Sequence, residues 1–244
     1  MIVSPKVCVA ICNYNHEKYL KQSIKSIVDQ TYENLDIAVV DDGSDEPDVV
    51  KSIVESMEDK RIRYIPIQNN RGKWNALNVA FASTDAEICT SHDADDVSLP
   101  WRISAQLGVL SQTATLHNLC GFVSCWSDEQ INQQQTSILR NTPENIKMVY
   151  GDEVAKSVLA GFQTPGINHY FTGKFETAGV SAMFHKSLWD LGFRFNPPGC
   201  GIRTLMSEDS DFNFRVTSAL RRTSLLLETP YLYRRNTSTN KEEK

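Results

Sequence analysis

No run of about 18 apolar residues occurs in this 244-residue sequence, so it offers no membrane-spanning helix. No basic-then-apolar segment with a small-residue cleavage site is found at the start, and the expectation is an unsecreted, cytoplasmic protein. The six cysteines (Cys8, Cys12, Cys89, Cys120, Cys125 and Cys200) form no C-x-x-C pair and no metal-ligand spacing. Three of them sit in apolar, strand-like runs, where a reduced thiol serves as a small hydrophobe. Internal repeats and low-complexity stretches are absent too, which removes solenoids and disordered chains from consideration. No excess charge of one sign is present: 25 Lys and Arg against 30 Asp and Glu leave a net of −5. That balance gives no global pull toward nucleic acid or anionic membrane. From residue 190 onward nine basic residues meet seven acidic ones, a mild local reversal.

What remains is an ordinary globular composition, 41% hydrophobic and 23% charged. A chain of this length buries roughly 70–75% of its unfolded surface and needs no disulfide or metal staple to fold. Over the first 110 residues, short apolar runs alternate with amphipathic stretches. Strands are predicted at 7–12, 35–40, 62–67 and 87–91, and helices at 17–29, 47–57 and 73–82. The first helix carries Leu20, Ile24, Ile27 and Val28 on one face. Repeated strand–helix units of this size imply a mostly parallel sheet covered on both faces, an α/β fold.

The second half is less regular. Strands are expected at 120–126, 180–185 and 224–228, and helices at 143–160 and 207–220. Loops are expected at 127–136, at 161–173 and at 193–204, the last a mobile segment rich in Gly and Pro. The tail from 236 is expected to fray.

Ligands of open α/β sheets bind beyond the carboxyl ends of the strands. Four polar clusters fall there, at 13–16, 41–45, 68–72 and 91–96. The densest is His92-Asp93-Ala94-Asp95-Asp96, whose crowded carboxylates repel one another unless a cation compensates. Oxygen donors of this kind suit Mg²⁺ or Mn²⁺, and the alternative is a solvated acidic turn. Asp41 and Asp42, before Gly43 and Ser44, either accept from a base N–H and a ribose hydroxyl or form a turn that caps the next helix. Lys73 opens a helix after Gly72 and puts a cation where a helix N-terminus already attracts anions, although a plain capped helix reads the same way. Glu208 and Asp209 also begin a helix, as caps or as a general base with its neighbour. Tyr231-Leu232-Tyr233-Arg234-Arg235 is either a phosphate-holding segment or an edge strand.

Together these segments resemble the family 2 glycosyltransferases, which have the GT-A fold and use nucleotide-activated sugars. The resemblance runs from residue 7 to about 106. It rests on Val9-Ala10-Ile11-Cys12-Asn13-Tyr14-Asn15, on Ser26-Ile27-Val28-Asp29-Gln30-Thr31-Tyr32 and on Val39-Val40-Asp41-Asp42-Gly43-Ser44. The N-x-G-x-x-x-A-x-N run that starts at Asn70, and Asp93-Ala94-Asp95-Asp96 followed by Leu99-Pro100, complete the set. Each motif is weak alone, but five in order at family-like spacing are specific. Beyond residue 106 the likeness is thinner and rests on 180–185, Glu208-Asp209 and Tyr233-Arg234-Arg235.

The resemblance implies a nucleotide-sugar-binding half, 1–110, and an acceptor-side half, 111–244, within one continuous GT-A domain. Cys12, Asn13, Tyr14 and Asn15 match the family's base contact. Asp41 or Asp42 matches the carboxylate that reads base and ribose, and Lys73 the cation near the nucleotide. Asp93 approaches the ribose, and Asp95 ligates the Mn²⁺ or Mg²⁺ that bridges the diphosphate. Asp209 matches the base of an inverting single displacement, with Glu208 beside it; Asp96, Arg234 and Arg235 are further phosphate or acceptor contacts. Three departures stand out: Cys12 where Thr or Ser is common, Trp101 where an acidic residue often follows Pro100, and Asn236 where many members carry His.

The expected partners are a nucleotide-sugar donor, UDP-linked first, and a saccharide or glycoconjugate acceptor. Modified DNA carrying hydroxymethylated bases is the minor alternative. A sugar nucleotidyltransferase is the rival enzyme class, but residues 12–18 lack the Gly-rich loop such enzymes show. An inactive sugar-nucleotide-binding module is the non-catalytic alternative, opposed by intact Asp95 and Asp209.

Overall fold

The computed structural model describes residues 4–135, 146–150, 169–172, 175–200, 207–235 and 237. Four parallel strands come first: β1 (Val7–Asn13), β2 (Leu35–Asp42), β3 (Ile62–Ile67) and β4 (Ile88–Asp93). Between them run α1 (Glu17–Val28), α2 (Pro47–Glu55) and α3 (Lys73–Ala82). There follow β5 (Val97–Ser98), α4 (Arg102–Thr113), β6 (His117–Cys125), α5 (Asp128–Gln134) and β7 (Ile146–Tyr150). Next come β8 (His169–Thr172), β9 (Phe175–Ala178), β10 (Met183–His185), α6 (Lys186–Asp190), α7 (Glu208–Leu220) and β11 (Arg222–Arg234).

The main sheet runs β3-β2-β1-β4-β10-β6-β11-β5, so the parallel half continues through antiparallel β10 into β6 and its parallel partner β11. The strand alternation of β1 sorts its side chains onto two faces. Val7, Val9 and Ile11 pack with Leu20, Ile24 and Ile27 of α1 and Val50 and Val54 of α2. Cys8 and Ala10 face Ala76, Leu77, Ala80 and Phe81 of α3, together with Phe212 and Val216 of α7. β2 is buried along its whole length, as a central parallel strand covered on both sides must be.

The first half matches the expected elements closely; the second departs from them. Residues 128–134 form a helix where a loop is expected. The Ser127 side chain accepts from the Gln130 N–H at 3.3 Å, and Asp128 and Glu129 sit in the first turn, where the helix dipole favours anions. The expected helix at 143–160 gives way at Ile146–Tyr150 to a strand, because Ile146 to Tyr150 pair antiparallel with Leu226 to Arg222; its remaining residues lie outside those described. In the expected 161–173 loop, His169–Thr172 pairs as a strand with Phe175–Ala178. The expected strand at 180–185 divides into a 3₁₀ turn, Gly179–Ser181, and β10. β11 extends from Arg222 to Arg234 with an irregularity between Leu226 and Tyr231, so its last turn of sequence is interior to the sheet rather than an edge. The described part of the 193–204 loop is pinned: Phe195 is buried, stacks on Phe212 at 4.2 Å, and exchanges backbone hydrogen bonds with the Asn78 side chain.

Candidate active site

The carboxyl ends of β1, β2 and β4, the start of α3, the start of α7 and the end of β11 enclose a cavity of about 780 Å³. Cys12, Asn13, Tyr14 and His16 line one part with Asp42, Asn70 and Gly72. Lys73, Asp93, Ala94, Asp95 and Glu208 follow, and Trp126, Tyr233, Arg234, Arg235 and Thr237 also border it.

Its β1–β2 end is built by loops that brace one another. Asn13 donates to the Asp41 carboxylate at 3.2 Å and to the Ser44 hydroxyl at 3.0 Å, and Ser44 donates to Asp41 at 2.5 Å. Tyr64 adds a hydroxyl to Asp41 at 3.2 Å. Asp41 is therefore buried and satisfied inside the scaffold, while Asp42 borders the cleft. Asp42 accepts the backbone N–H groups of Gly72 at 2.7 Å and Arg71 at 3.2 Å, which fixes the loop leading into α3. Burial raises the Asp42 carboxyl above its usual range against those two donors. Asn15, with φ of 56°, is outside the cavity lining and braces Asp45 through paired bonds of 3.1 and 2.8 Å. Cys12 presents a neutral thiol, because burial pushes it well above the ordinary range despite Lys73 nearby.

At the centre one ammonium serves three carboxylates. Lys73 Nζ is 2.7 Å from Asp93 Oδ1, 2.9 Å from Asp209 Oδ2 and 4.0 Å from Glu208 Oε1. Burial works against the charge of Lys73, but Asp209, Asp93 and Glu208 outweigh it and hold the ammonium well above its usual range. A single cation cannot neutralise three anions, so proton affinity rises on the most buried of them. Burial pushes Asp209 up to about 7, with Lys73 pulling the other way. Glu208 borders the cavity; Asp209 is 8% exposed and reaches it through Lys73.

The acidic turn after β4 is held from the far end of the chain. The Arg234 N–H donates to Asp96 at 2.7 Å, its guanidinium to the Asp95 carbonyl at 2.7 Å and to Gln22 at 2.8 Å, and it pairs with Asp128. Thr237 donates to the Asp95 carboxylate, and the Asp93 N–H donates to the Tyr231 hydroxyl at 3.2 Å. Arg234 is thus committed to bracing the turn. Carboxylate oxygens of Asp93, Asp95 and Asp96 all lie within 4.8 Å of one another. Burial, then Asp93, raises Asp95, while burial, Asp95 and Asp93 raise Asp96 further. Such a set of hard oxygens fits a small divalent cation. Of the three, Asp93 and Asp95 border the cavity and Asp96 is buried behind them.

Residue-based reasoning thus finds Cys12, Asn13, Tyr14, Asp42, Lys73, Asp93, Asp95, Glu208, Arg234 and Arg235 on the cavity wall, with Asp41, Asn15, Asp96 and Asp209 set back from it. His16 and Asn70, inside the 13–16 and 68–72 clusters, also line it without an expected role, as do Trp126, Tyr233 and Thr237. Tyr233 sits in the aromatic, basic segment already singled out, and Asn70 opens the N-x-G run. His16 belongs to the polar cluster at 13–16, whereas Trp126 and Thr237 carry no local signal.

Comparison with known proteins gives a consistent picture. The sequence matches the family described as glycosyl transferase family 2 over residues 8–192. An uncharacterized glycosyltransferase of Haemophilus influenzae is 42% identical over 98 residues, 39% of this chain and 30% of that protein. One from a Nostoc species is 34% identical over 136 residues, 54% of this chain and 41% of that protein. The chain thus spans less than half the length of these curated relatives. Staphylococcus aureus TarS 1-349 in complex with UDP-GlcNAc superposes with a TM-score of 0.68 at 17% identity, over 96% of this chain and 59% of that one. A mannosyltransferase from Pyrobaculum calidifontis, in complex with GDP-Man and Mn²⁺, gives 0.61 at 19% identity, over 98% and 59%. At such identity the likeness establishes a shared fold. No helix among the described residues is long and apolar enough to cross a membrane.

Proposed function

The chain belongs to glycosyl transferase family 2, and on that premise we propose that it moves a sugar from a nucleotide-sugar donor, a UDP-sugar first, to an acceptor hydroxyl by metal-dependent, inverting single displacement. The observation that carries this reading is the shared ammonium. Lys73 joins Asp93, at the end of the β4 strand, to Asp209, at the start of α7, across one cleft.

Asn13, Tyr14, Asp42 and the backbone of the loop before α3 supply the polar wall for a base and ribose. Lys73 brings positive charge, reinforced by the α3 N-terminus, to where a diphosphate lies. Asp95, with Asp93 and Asp96 beside it, is the group to hold Mn²⁺ or Mg²⁺. When bound, such a cation offsets the charge that grows on a departing nucleoside diphosphate. Asp209 takes the proton of the acceptor hydroxyl, and its carboxyl, poised near 7, suits that task at neutral pH. Glu208 faces the acceptor from the same helix end.

The acceptor we assign is a saccharide or glycoconjugate. Arg194 stacks on Trp189, Arg215 pairs with Asp211 and Arg234 pairs with Asp128, so these arginines are engaged within the fold. A thermal-shift screen of nucleoside diphosphates and nucleotide sugars, with Mn²⁺, Mg²⁺ or EDTA, tests the reading. A metal-dependent rise with UDP or a UDP-sugar is expected, and Asp95→Ala is expected to abolish its metal dependence. An unchanged metal-dependent rise in that variant would remove Asp95 from the metal role. No rise with any nucleotide would point to a degenerate binding module.

A further inference from the structure

Trp126 is 62% exposed, although it borders a cavity whose other walls are mostly polar. Its backbone is fixed: the Trp126 N–H donates to Gln130 at 2.7 Å, and Ser127 next to it caps α5. The ring is also backed. The Arg235 guanidinium donates to Ser124 at 3.1 and 2.9 Å and is 4.7 Å from the centroid of the Tyr233 ring and 5.8 Å from that of Trp126. A large aromatic surface held in place from behind and presented to a cleft is arranged to receive a flat, partly apolar ligand. It reaches the cleft from a different strand than the nucleotide wall does. Trp126 follows β6, paired with β11, whereas Asn13 and Asp42 end β1 and β2, with β4 and β10 in between.

We infer that Trp126, backed by Arg235, is the platform on which the acceptor saccharide stacks, the C–H face of one pyranose ring lying on the indole. This rests on the sugar-transfer reading of the cleft and adds a subsite to it. The ligand class is an oligosaccharide rather than a nucleobase: the indole offers an apolar face, whereas the polar groups suited to a base, Asn13, Tyr14 and Asp42, belong to the ends of β1 and β2.

The test uses the full chain labelled with 5-fluorotryptophan, the Trp126 resonance being assigned by its loss in Trp126→Phe. Cellotetraose, chitotetraose and maltotetraose are titrated separately, with and without UDP and Mn²⁺. At least one is expected to shift the Trp126 resonance saturably. By calorimetry, Trp126→Ala is expected to weaken that saccharide about tenfold, roughly the loss of one stacking contact. Trp126→Phe is expected to restore binding to within about threefold, an aromatic face of reduced area. The UDP thermal shift is expected to be the same in wild type and Trp126→Ala. The inference is overturned if none of the three sugars moves the resonance, or if Trp126→Ala binds as wild type does. It is also overturned if UDP alone moves the resonance and the UDP thermal shift falls in Trp126→Ala, or if a DNA duplex moves it and the sugars do not. Absence of any UDP shift in the wild-type protein would sink the donor reading instead, while the titrations without nucleotide still decide the platform.

Discussion

Asp209 is pulled in two directions: burial holds its proton, and the Lys73 ammonium at 2.9 Å draws it off. The balance near 7 has a direct kinetic consequence. A base works only when ionised, so single-turnover transfer is expected to rise with pH and to be half-maximal near pH 7, levelling above pH 8. A profile flat from pH 5 to 9, with chemistry limiting, would rule out Asp209 as the titrating base. Asp209→Asn is expected to slow transfer by about 100- to 10,000-fold, the usual worth of a positioned base, while the UDP thermal shift persists. Wild-type rates in that variant would transfer the role to another group, with Glu208 first to be examined.

At the scale of elements, the turns that frame the cleft are fitted to one another so closely that small changes propagate. Gly43 has φ of 77°, and a Cβ there would stand 2.6 Å from the Asn70 backbone nitrogen. Gly43→Ala therefore combines a strained conformation with a backbone clash. It is expected to destabilise the fold by about 2 kcal/mol or more and to weaken UDP binding, because the displaced loop carries Asn70 and Gly72. Thermal melting with and without UDP measures both effects. At the start of β6, His117 is fully buried between Thr223 of β11 and Asn213 of α7, at 2.7 and 2.9 Å. Burial lowers it to about 4, so the folded chain keeps it neutral where the unfolded chain takes up a proton. Its contribution is complete above about pH 6.5 and is lost as pH falls toward 4, about 3 kcal/mol in all. His117→Gln is expected to flatten that acid limb in urea melts between pH 7 and 4.5; an unaltered slope would show that other groups set it.

The first four strands and their helices are legible in the sequence because each buries its pattern against near neighbours, Val7, Val9 and Ile11 toward α1 and Cys8 and Ala10 toward α3. Ile146 to Tyr150 are not, because only the pairing with β11, more than seventy residues on, decides strand over helix. The site divides the same way. Asp42, Lys73, Asp93 and Asp95 announce themselves by ending a strand or opening a helix. Trp126 and Thr237 join the cavity only because β6 and β11 lie side by side.

For the molecule as a whole, the acidic turn and its supports are far apart along the chain. Asp96 and Arg234 are 138 residues apart, the Asp95 carbonyl and Arg234 139, and Asp95 and Thr237 142. Contacts of that separation form late, because a large loop must close first. In refolding experiments, the capacity to bind UDP with Mn²⁺ is expected to appear with the slowest phase, after most far-UV circular dichroism has returned. Simultaneous recovery would mean that the turn assembles without β11. The same arrangement bears on how the protein is made. A ribosome releases the residues of β1 to β4 early, and they have time to pair while the rest is still being decoded. Every carboxylate of the acidic turn is then already in the open, yet the strand that disciplines them has not been translated. Such a nascent chain has the acidic turn without its geometry, and gains the second only once β11 has been made.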